Sequence, residues 1–233
     1  LISEGPGAEP RMVALFEFIA GKEPEPSDLG EAFVQLGEIA ARMHDHARSW
    51  VRPDYFERLV WDVESAFGER PNWGHWRDGF AVGKPGLDVV ERADAQMRCR
   101  LARFGKGPDR FGLIHSDLRL ANLLVSEGHT KVLDFDDWGF GWFLYDLASS
   151  MTFLETDPHA QTYIDAWVQG YEREGRLTAE EVAEIPTMML LRRLIIMGWA
   201  GSHPDTDLAR HMGEAYTVET VTFADRYLTR CAS

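Results

Sequence analysis

The chain has 233 residues, with 24 Lys and Arg against 38 Asp and Glu, which gives a formal net charge of −14. This charge disfavours nucleic-acid binding, since phosphate backbones are held by clusters of Lys and Arg. Its 45% hydrophobic content is that of a globular protein, and no apolar run is long enough to span a bilayer. The two cysteines, Cys99 and Cys231, cannot build a disulfide scaffold. We expect a cytoplasmic protein that binds neither nucleic acid nor a membrane.

The first part of the chain predicts a strand and then a long helix. Residues 12–19 form an apolar run bounded by turn residues, which is typical of a buried strand. Asp28 and Glu31 form a capping-box pattern, and apolar residues recur at helical spacing over 33–47. Residues 53–86 are rich in Trp, Gly and Pro and predict short helices and loops.

The rest of the chain predicts helices around a small β-hairpin. We expect a helix at 88–104, a strand at 111–114, and paired strands at 123–125 and 131–133 around a turn at 126–130. Four more helices are predicted at 145–155, 158–174, 178–199 and 208–228. The pattern indicates an α+β fold that is mostly helical.

The hairpin places two oxygen-bearing side chains together. If Val125 pairs with Lys131, continuing the ladder sets Asn122 opposite Asp134, with Cβ atoms about 4.5–5.5 Å apart. An amide oxygen and a carboxylate at that distance can hold one Mg²⁺, which commonly also binds substrate phosphates. Asp117 precedes Asn122 in the same loop and can face the same space, where a carboxylate accepts the proton of an attacking hydroxyl. These residues predict phosphoryl transfer.

Two motifs carry a resemblance to a known family. The segment from His115 to Asn122 matches the H-x-D-x-x-x-x-N loop of kinase-like phosphotransferases, and Asp134-Phe-Asp136 stands where protein kinases carry D-F-G. With "LFEFIAG" and "LGEIAARMHDHA" upstream, the chain resembles the aminoglycoside phosphotransferase superfamily, which includes choline and homoserine kinases. The resemblance implies the C-terminal lobe of a protein-kinase-like fold, with ATP or GTP as donor and a small hydroxyl-bearing substrate.

The resemblance also implies roles for four residues. Asp117 would be the catalytic base, and Asn122 and Asp134 would bind Mg²⁺. Asp146 would be the buried carboxylate that braces the catalytic loop.

The same resemblance divides the chain. Residues 1–26 would be the hinge strand and linker of a small N-terminal lobe, with Glu17 and Phe18 meeting the adenine, and residues 27–233 would be the helical catalytic and substrate lobe. Ser116 stands where the family usually has Gly. The phosphate-covering loop and the lysine of the small lobe are absent from the sequence. We therefore expect the isolated 233-residue chain to bind nucleotide poorly and not to turn over.

Other polar positions each have two interpretations. His115 is expected to have a structural, hydrogen-bonding role. Arg119 either reaches the transferred phosphate or is solvated. Asp136 and Asp137 either widen the metal site, attract a cationic substrate, or are turn residues.

Four aromatic side chains are candidates for a cage around a quaternary amine, although aromatics at helix starts are more often core. They are Trp138, Trp142, Tyr145 and Trp199. Arg192 and Arg193 interrupt an apolar helix and suggest a lined cleft, although snorkelling explains them almost as well.

The favoured function is an ATP-dependent kinase that phosphorylates a hydroxyl of an aminoglycoside, an amino alcohol, homoserine or a sugar. The acidic charge favours cationic acceptors. The alternatives are a protein Ser/Thr kinase of the bacterial stress-response type, a pseudokinase-like interaction module, and a metal-dependent phosphohydrolase. The phosphohydrolase would use His115, Asp117, Asp134 and Asp136 as ligands.

Overall fold

The computed structural model describes residues 2–3, 11–12, 15–25, 29–79 and 83–231. The helices are α1 Leu29–Ser49, α2 Val63–Phe67, α3 Lys84–Phe104, α4 Tyr145–Ser150, α5 Ala160–Glu174, α6 Ala179–Ser202 and α7 Asp207–Cys231. The strands are β1 Ile2–Ser3, β2 Arg11–Met12, β3 Leu59–Trp61, β4 Phe111–Ile114, β5 Leu123–Ser126, β6 His129–Val132 and β7 Gly139–Trp142. The predicted α+β, mostly helical fold is confirmed.

The described strands form three small sheets, β1 with β2, β3–β7–β4, and β5 with β6. The sequence predicted β4 but neither β3 nor β7. The sequence of β7, Gly-Phe-Gly-Trp, has too many glycines for a strand pattern. Its glycines allow close approach of neighbouring strands, since a Cβ on Gly139 would lie 2.4 Å from the carbonyl oxygen of Leu59.

Of the predicted buried strand at 12–19, Met12 lies in the two-residue strand β2, but the prediction is wrong for residues 15–19. Residues 15–20 have no regular structure, and Leu15, Phe16 and Phe18 are exposed. Residues 13–14 and Asp28 lie outside the described residues. An apolar run becomes a buried strand only when neighbouring elements pair with it and cover it, and the described residues supply no such cover.

The exposed segment joins the hairpin at one point. Lys22 and Val125 exchange two backbone hydrogen bonds, of 3.0 and 2.7 Å, and so form an isolated antiparallel bridge on β5. The chain before α1 is thereby attached to the element that carries the candidate metal ligands.

Helices α1 and α5 pack closely because each has a glycine at the contact. A Cβ on Gly37 would lie 2.0 Å from the carbonyl oxygen of Trp167, and one on Gly170 would lie 1.9 Å from that of Val34. No other residue type allows this approach. The contact brings His44 of α1 beside Tyr171 of α5, in the core.

Helix α6 is the central element of the core. Its predicted capping box is confirmed, with Thr178 and Glu181 exchanging hydrogen bonds. The helix is buried over 187–198, including Arg192 and Arg193. The helix predicted at 145–155 is shorter than expected, because α4 ends at Ser150 and turns follow.

None of the helices that the structure describes combines the length and apolarity that crossing a membrane requires.

Candidate active site

The loop after β4 is held by a buried carboxylate. Asp146, at the start of α4, is fully buried, and its Oδ2 and Oδ1 accept hydrogen bonds from the backbone N–H groups of His115 (3.1 Å) and Ser116 (2.8 Å). His44 donates its Nε2–H to Oδ2 at 3.0 Å, and its Nδ1 lies 3.1 Å from the hydroxyl of Tyr171. Helices α1 and α4 and the loop after β4 therefore meet at this one carboxylate, which limits the movement of the loop.

Ser116 makes a sharp bend in this loop. Its φ is 68°, a region that glycine adopts freely and serine does not. Its Oγ donates a 2.6 Å hydrogen bond to the carbonyl of Asp137. The backbone conformation explains why a glycine would suit this position, and the hydroxyl gives serine a compensating contact.

Asp117 follows the bend and is held on both oxygens. Oδ1 pairs with Arg192 at 2.5 Å, and Oδ2 accepts hydrogen bonds from Arg119 (3.1 Å) and from Asn122 Nδ2 (2.9 Å). The Asp117 side chain is 11% exposed. Burial by itself raises the pKa of Asp117, but the two arginines and the amide outweigh burial and hold that pKa below its ordinary value. Asp117 is therefore an ionised, oriented carboxylate.

The hairpin register differs by one residue from the prediction. Leu123 pairs with Val132, so Asn122 stands next to Leu133, whose N–H donates to the Asn122 carbonyl at 2.9 Å, and not opposite Asp134. The reason is a two-residue turn at 127–128, where both residues have positive φ, in place of the predicted five-residue turn.

Asp134 lies two residues beyond Val132, where this ladder ends, and is exposed, with φ of 60°. The side-chain nitrogen of Asn122 donates to the carbonyl and Oδ2 of Asp117, both at 2.9 Å. The amide oxygen of Asn122 takes part in none of the hydrogen bonds found among the described residues. Amide and carboxylate oxygens are ligands that suit Mg²⁺.

Both ring nitrogens of His115 are used within the protein. Nε2 donates to the carbonyl of Leu133 at 3.0 Å, Nδ1 accepts from the N–H of Asp117 at 3.3 Å, and the ring packs on Phe135. Within the described part of the chain, no three His, Cys, Asp or Glu side chains come together as a metal site. Because both of its ring nitrogens are occupied, His115 is poorly placed to act as the metal ligand that the phosphohydrolase alternative requires.

A cavity of about 100 Å³ opens beside Asp117. Its charged and polar lining is Asp117, Arg119, Asp137, Thr152 and Arg192. Its apolar lining is Trp73, Phe153, Ile196, Trp199 and Leu208. The cavity combines two carboxylates with three aromatic rings.

The structure separates the four aromatic residues proposed for a cage. Only Trp199 lines the Asp117 cavity, where it is joined by Trp73 and Phe153, which the sequence did not indicate. Trp142 is fully buried, and so is Tyr145, with its hydroxyl 3.4 Å from Arg192. Trp142 and Tyr145 are therefore core residues rather than cage walls.

Trp138, the fourth of these aromatics, lines a different cavity, with Phe135 and His115 among its walls. Its ring packs edge-on against Phe56, and Arg58 lies 5.2 Å above it. The structure does not bring Trp138 to the Asp117 cavity.

The acidic turn before β7, which contains Asp136 and Asp137, is held by hydrogen bonds from Arg58. Arg58 donates to the carbonyls of Asp136 (2.5 Å) and Trp138 (2.9 Å), and the Asp136 side chain is exposed. Asp137 is half-buried at the cavity, where burial and the neighbouring Asp117 raise its pKa above the ordinary value. Asp137 thus lies near the candidate base, and Asp136 does not line that cavity.

Glu17 and Phe18, the predicted hinge residues, lie in the exposed segment at 15–20, where Phe18 is 90% exposed.

Besides Trp73, three residues of the site were missed or undervalued from the sequence. His44 lies on the apolar side of α1, between Ala40 and Ala47, and that position was a signal of burial. Arg192 was detectable as an arginine within an apolar helix. Phe153 gave no signal, because the turn that places it at the cavity was predicted as helix.

A helical lobe with a braced H-x-D-x-x-x-x-N loop, an adjoining hairpin and a following carboxylate defines the catalytic lobe of the kinase-like phosphotransferases. The sequence profile of the Phosphotransferase enzyme family (APH) matches residues 3–183, more than half of the chain. The chain belongs to this family, and its resemblance to the aminoglycoside phosphotransferase superfamily is confirmed.

One curated relative is a kinase. Amicoumacin kinase of Bacillus subtilis (strain 168) is 26% identical over 198 residues, which are 80% of this chain and 56% of the relative. The chain thus spans little more than half the length of that curated relative.

Solved structures give the same fold. The microcompartment-associated aminopropanol kinase matches with a TM-score of 0.88 at 37% identity, over 99% of this chain and 72% of the other. Amicoumacin kinase hAmiN, in complex with AMP-PNP, Ca²⁺ and Ami, matches with a TM-score of 0.67 at 22% identity, over 92% and 64%. Choline kinase LicA from Streptococcus pneumoniae has a TM-score of 0.58 at 17% identity, over 87% and 66%.

Proposed function

We propose that this chain is the catalytic lobe of a phosphotransferase that moves the γ-phosphoryl group of ATP or GTP to a hydroxyl of a small, amine-bearing molecule. The observation that carries the proposal is the ionised carboxylate of Asp117 at the wall of a cavity that also holds Asp137 and three aromatic side chains. Within this class, an amino alcohol is favoured, because the relative that matches with a TM-score of 0.88 is an aminopropanol kinase.

In the proposed reaction, Asp117 orients the acceptor hydroxyl and receives its proton. The hydroxyl oxygen forms a bond to the γ-phosphorus while the bond from that phosphorus to the β–γ bridging oxygen breaks, and the nucleoside diphosphate leaves with that oxygen. Arg119 pairs with Asp117 and lines the same cavity, where a fixed cation stabilises charge on the transferring group.

Asn122 and Asp134 are the residues that would hold Mg²⁺. The fit rests on the free amide oxygen of Asn122 and on the exposed carboxylate of Asp134, since Mg²⁺ takes oxygen ligands from one or two side chains and from phosphates. When bound, the ion supplies charge neutralisation on the nucleotide phosphates. Glu17 and Phe18 are proposed to meet the nucleotide base from the exposed segment before α1.

The acceptor's ammonium group is proposed to lie between Asp137 and the aromatic walls Trp73, Phe153 and Trp199. Ring faces attract cations, at about 0.5–2 kcal/mol per contact. A half-buried carboxylate adds a charged hydrogen bond. Asp136, being exposed and outside the cavity, is proposed only to add to the negative field.

The test uses the full-length gene product with Mg²⁺ and ATP or GTP, assayed on amino alcohols, aminoglycosides, homoserine and casein. Asp117→Asn should lower kcat by about 10²–10⁴-fold while nucleotide affinity stays within about threefold, because only proton transfer is removed. Asp134→Ala should instead weaken Mg²⁺-dependent nucleotide binding. Equal loss of nucleotide binding in both variants would contradict the two assignments.

The same screen decides between the alternatives. Phosphate transfer to casein with none to amines would favour the protein kinase, although the relatives above are kinases of small molecules. Nucleotide binding without any transfer would favour the pseudokinase. We also propose that the 233-residue chain alone does not turn over, which the same assay on this chain measures.

A further inference from the structure

Arg192 is a buried cation at the wall of the candidate active site. It is 1% exposed, and such burial is costly for a guanidinium group. Its Nη2 donates to Oδ1 of Asp117 at 2.5 Å, and its Nη1 donates to the carbonyl of Ser116 at 3.2 Å. One guanidinium thus holds both the carboxylate and the backbone of the strained bend beside it.

The guanidinium is itself held by other elements. Its Nε donates to Oγ1 of Thr152 at 3.0 Å, and Nη1 lies 3.4 Å from the hydroxyl of Tyr145 on α4. Thr152 belongs to the turns after α4, and Arg192 belongs to α6. The position of Asp117 is therefore coupled to three parts of the fold outside its own loop.

Arg193 has the same kind of environment and no contact with the site. It is fully buried, pairs with Glu155 at 2.9 Å, and donates from Nε to Oγ1 of Thr220 at 3.2 Å. The two adjacent arginines therefore differ in what they hold. Arg192 holds Asp117, and Arg193 joins α6 to α7 and to the turns at 151–158.

We propose that Arg192, supported by Thr152, is the positioning residue that sets the direction of the Asp117 carboxylate toward the acceptor hydroxyl. This inference rests on the proposed function. Asn122 and Arg119 both hold Oδ2, so Arg192 is the described partner of Oδ1 and determines how the carboxylate is rotated. A planar guanidinium fixes direction, which the point charge of a lysine does not.

The experiment compares matched variants of the full-length protein, assayed with Mg²⁺, ATP and the best amino alcohol of the screen. Thr152→Val removes the hydroxyl that holds Arg192, and Thr220→Val removes the equivalent hydroxyl from Arg193. Arg192→Lys and Arg193→Lys form a second pair. Thermal unfolding reports the structural cost in each variant, and kcat and KM report the positioning.

We expect Arg192→Lys to lower kcat by about tenfold to 100-fold and Thr152→Val to lower it by about threefold to tenfold. The KM for the nucleotide should stay within about twofold in both variants, because a misplaced catalytic group lowers turnover rather than binding. Thr220→Val and Arg193→Lys should lower the unfolding temperature to a similar degree and keep kcat within about twofold.

A kcat within about twofold of the unmodified protein in both Arg192→Lys and Thr152→Val would overturn the proposal, as would an equal loss of kcat in the Arg193 pair. Asp117→Asn separates this failure from failure of the proposed function. If Asp117→Asn also keeps its kcat, the base assignment itself is wrong.

Discussion

Individual residues around the cavity adopt backbone conformations that their side chains do not favour. Ser116, Asp134 and Phe153 have φ of 68°, 60° and 71°, in the left-handed region that costs a non-glycine residue about 1–2 kcal/mol. Aspartate tolerates this region well, whereas serine and phenylalanine do not. Such residues persist only where surrounding contacts hold them, as the hydrogen bond to the carbonyl of Asp137 holds Ser116.

Ser116 allows strain and hydrogen bonding to be separated. Ser116→Ala keeps the strain and loses the 2.6 Å bond to Asp137, so we expect a loss of about 1 kcal/mol of unfolding free energy. Ser116→Gly loses the same bond and relieves the strain, so it should be more stable than Ser116→Ala by about 1 kcal/mol. Denaturant unfolding of both variants measures the difference. A glycine variant less stable than the alanine variant would show that φ is not the source of strain.

At the scale of elements, the site depends on helix packing that lies behind it. The contact of α1 with α5 places His44 against Asp146, and Asp146 holds the two backbone N–H groups of the loop. The glycines of this contact, Gly37 and Gly170, therefore influence a loop that they do not touch.

Gly170 and Gly30 provide a matched test of this packing. A Cβ on Gly170 would lie 1.9 Å from the carbonyl oxygen of Val34, whereas one on Gly30, also in a helix, meets nothing within 4 Å. We expect Gly170→Ala to lose about 3 kcal/mol of unfolding free energy, because the helices must separate. Gly30→Ala should be neutral or gain about 0.5–1 kcal/mol through helix propensity. Equal changes in unfolding free energy for the two variants would mean that the close approach of the helices does not restrict the side chain at residue 170.

At the scale of the whole molecule, the net charge of −14 favours cations near the surface and the cavity. We therefore expect the kcat/KM of the full-length protein for a cationic amino alcohol to fall by about threefold or more when salt rises from about 20 to about 200 mM. The kcat should stay nearly constant, because salt screens the electrostatic attraction that brings the substrate to the protein. Sucrose at equal osmolality is the control, since it does not screen charge. An efficiency that is independent of salt would remove any role for the overall charge.

Sequence reasoning reached the catalytic loop and the hairpin because their signals are local. The spacing from His115 to Asn122, the turn around Gly128 and the capping box at Thr178 and Glu181 all lie within a few residues of one another. The predicted register of the hairpin is wrong by one residue, because the turn has two residues and not five. The residue types at 126–130 allow the backbone dihedrals of either turn, so they do not decide between the two lengths.

The sequence by itself determined the mostly helical fold class, the family and the set of polar residues on the loop, since periodicity and short motifs are written in neighbouring positions. Only the tertiary structure decided that Arg192 and His44 serve that loop, that Trp73 and Phe153 line its cavity, and that Trp138 does not. These are contacts between residues far apart in the chain. Packing of helices and turns selects them, and no local pattern of residue types encodes which distant side chains will meet.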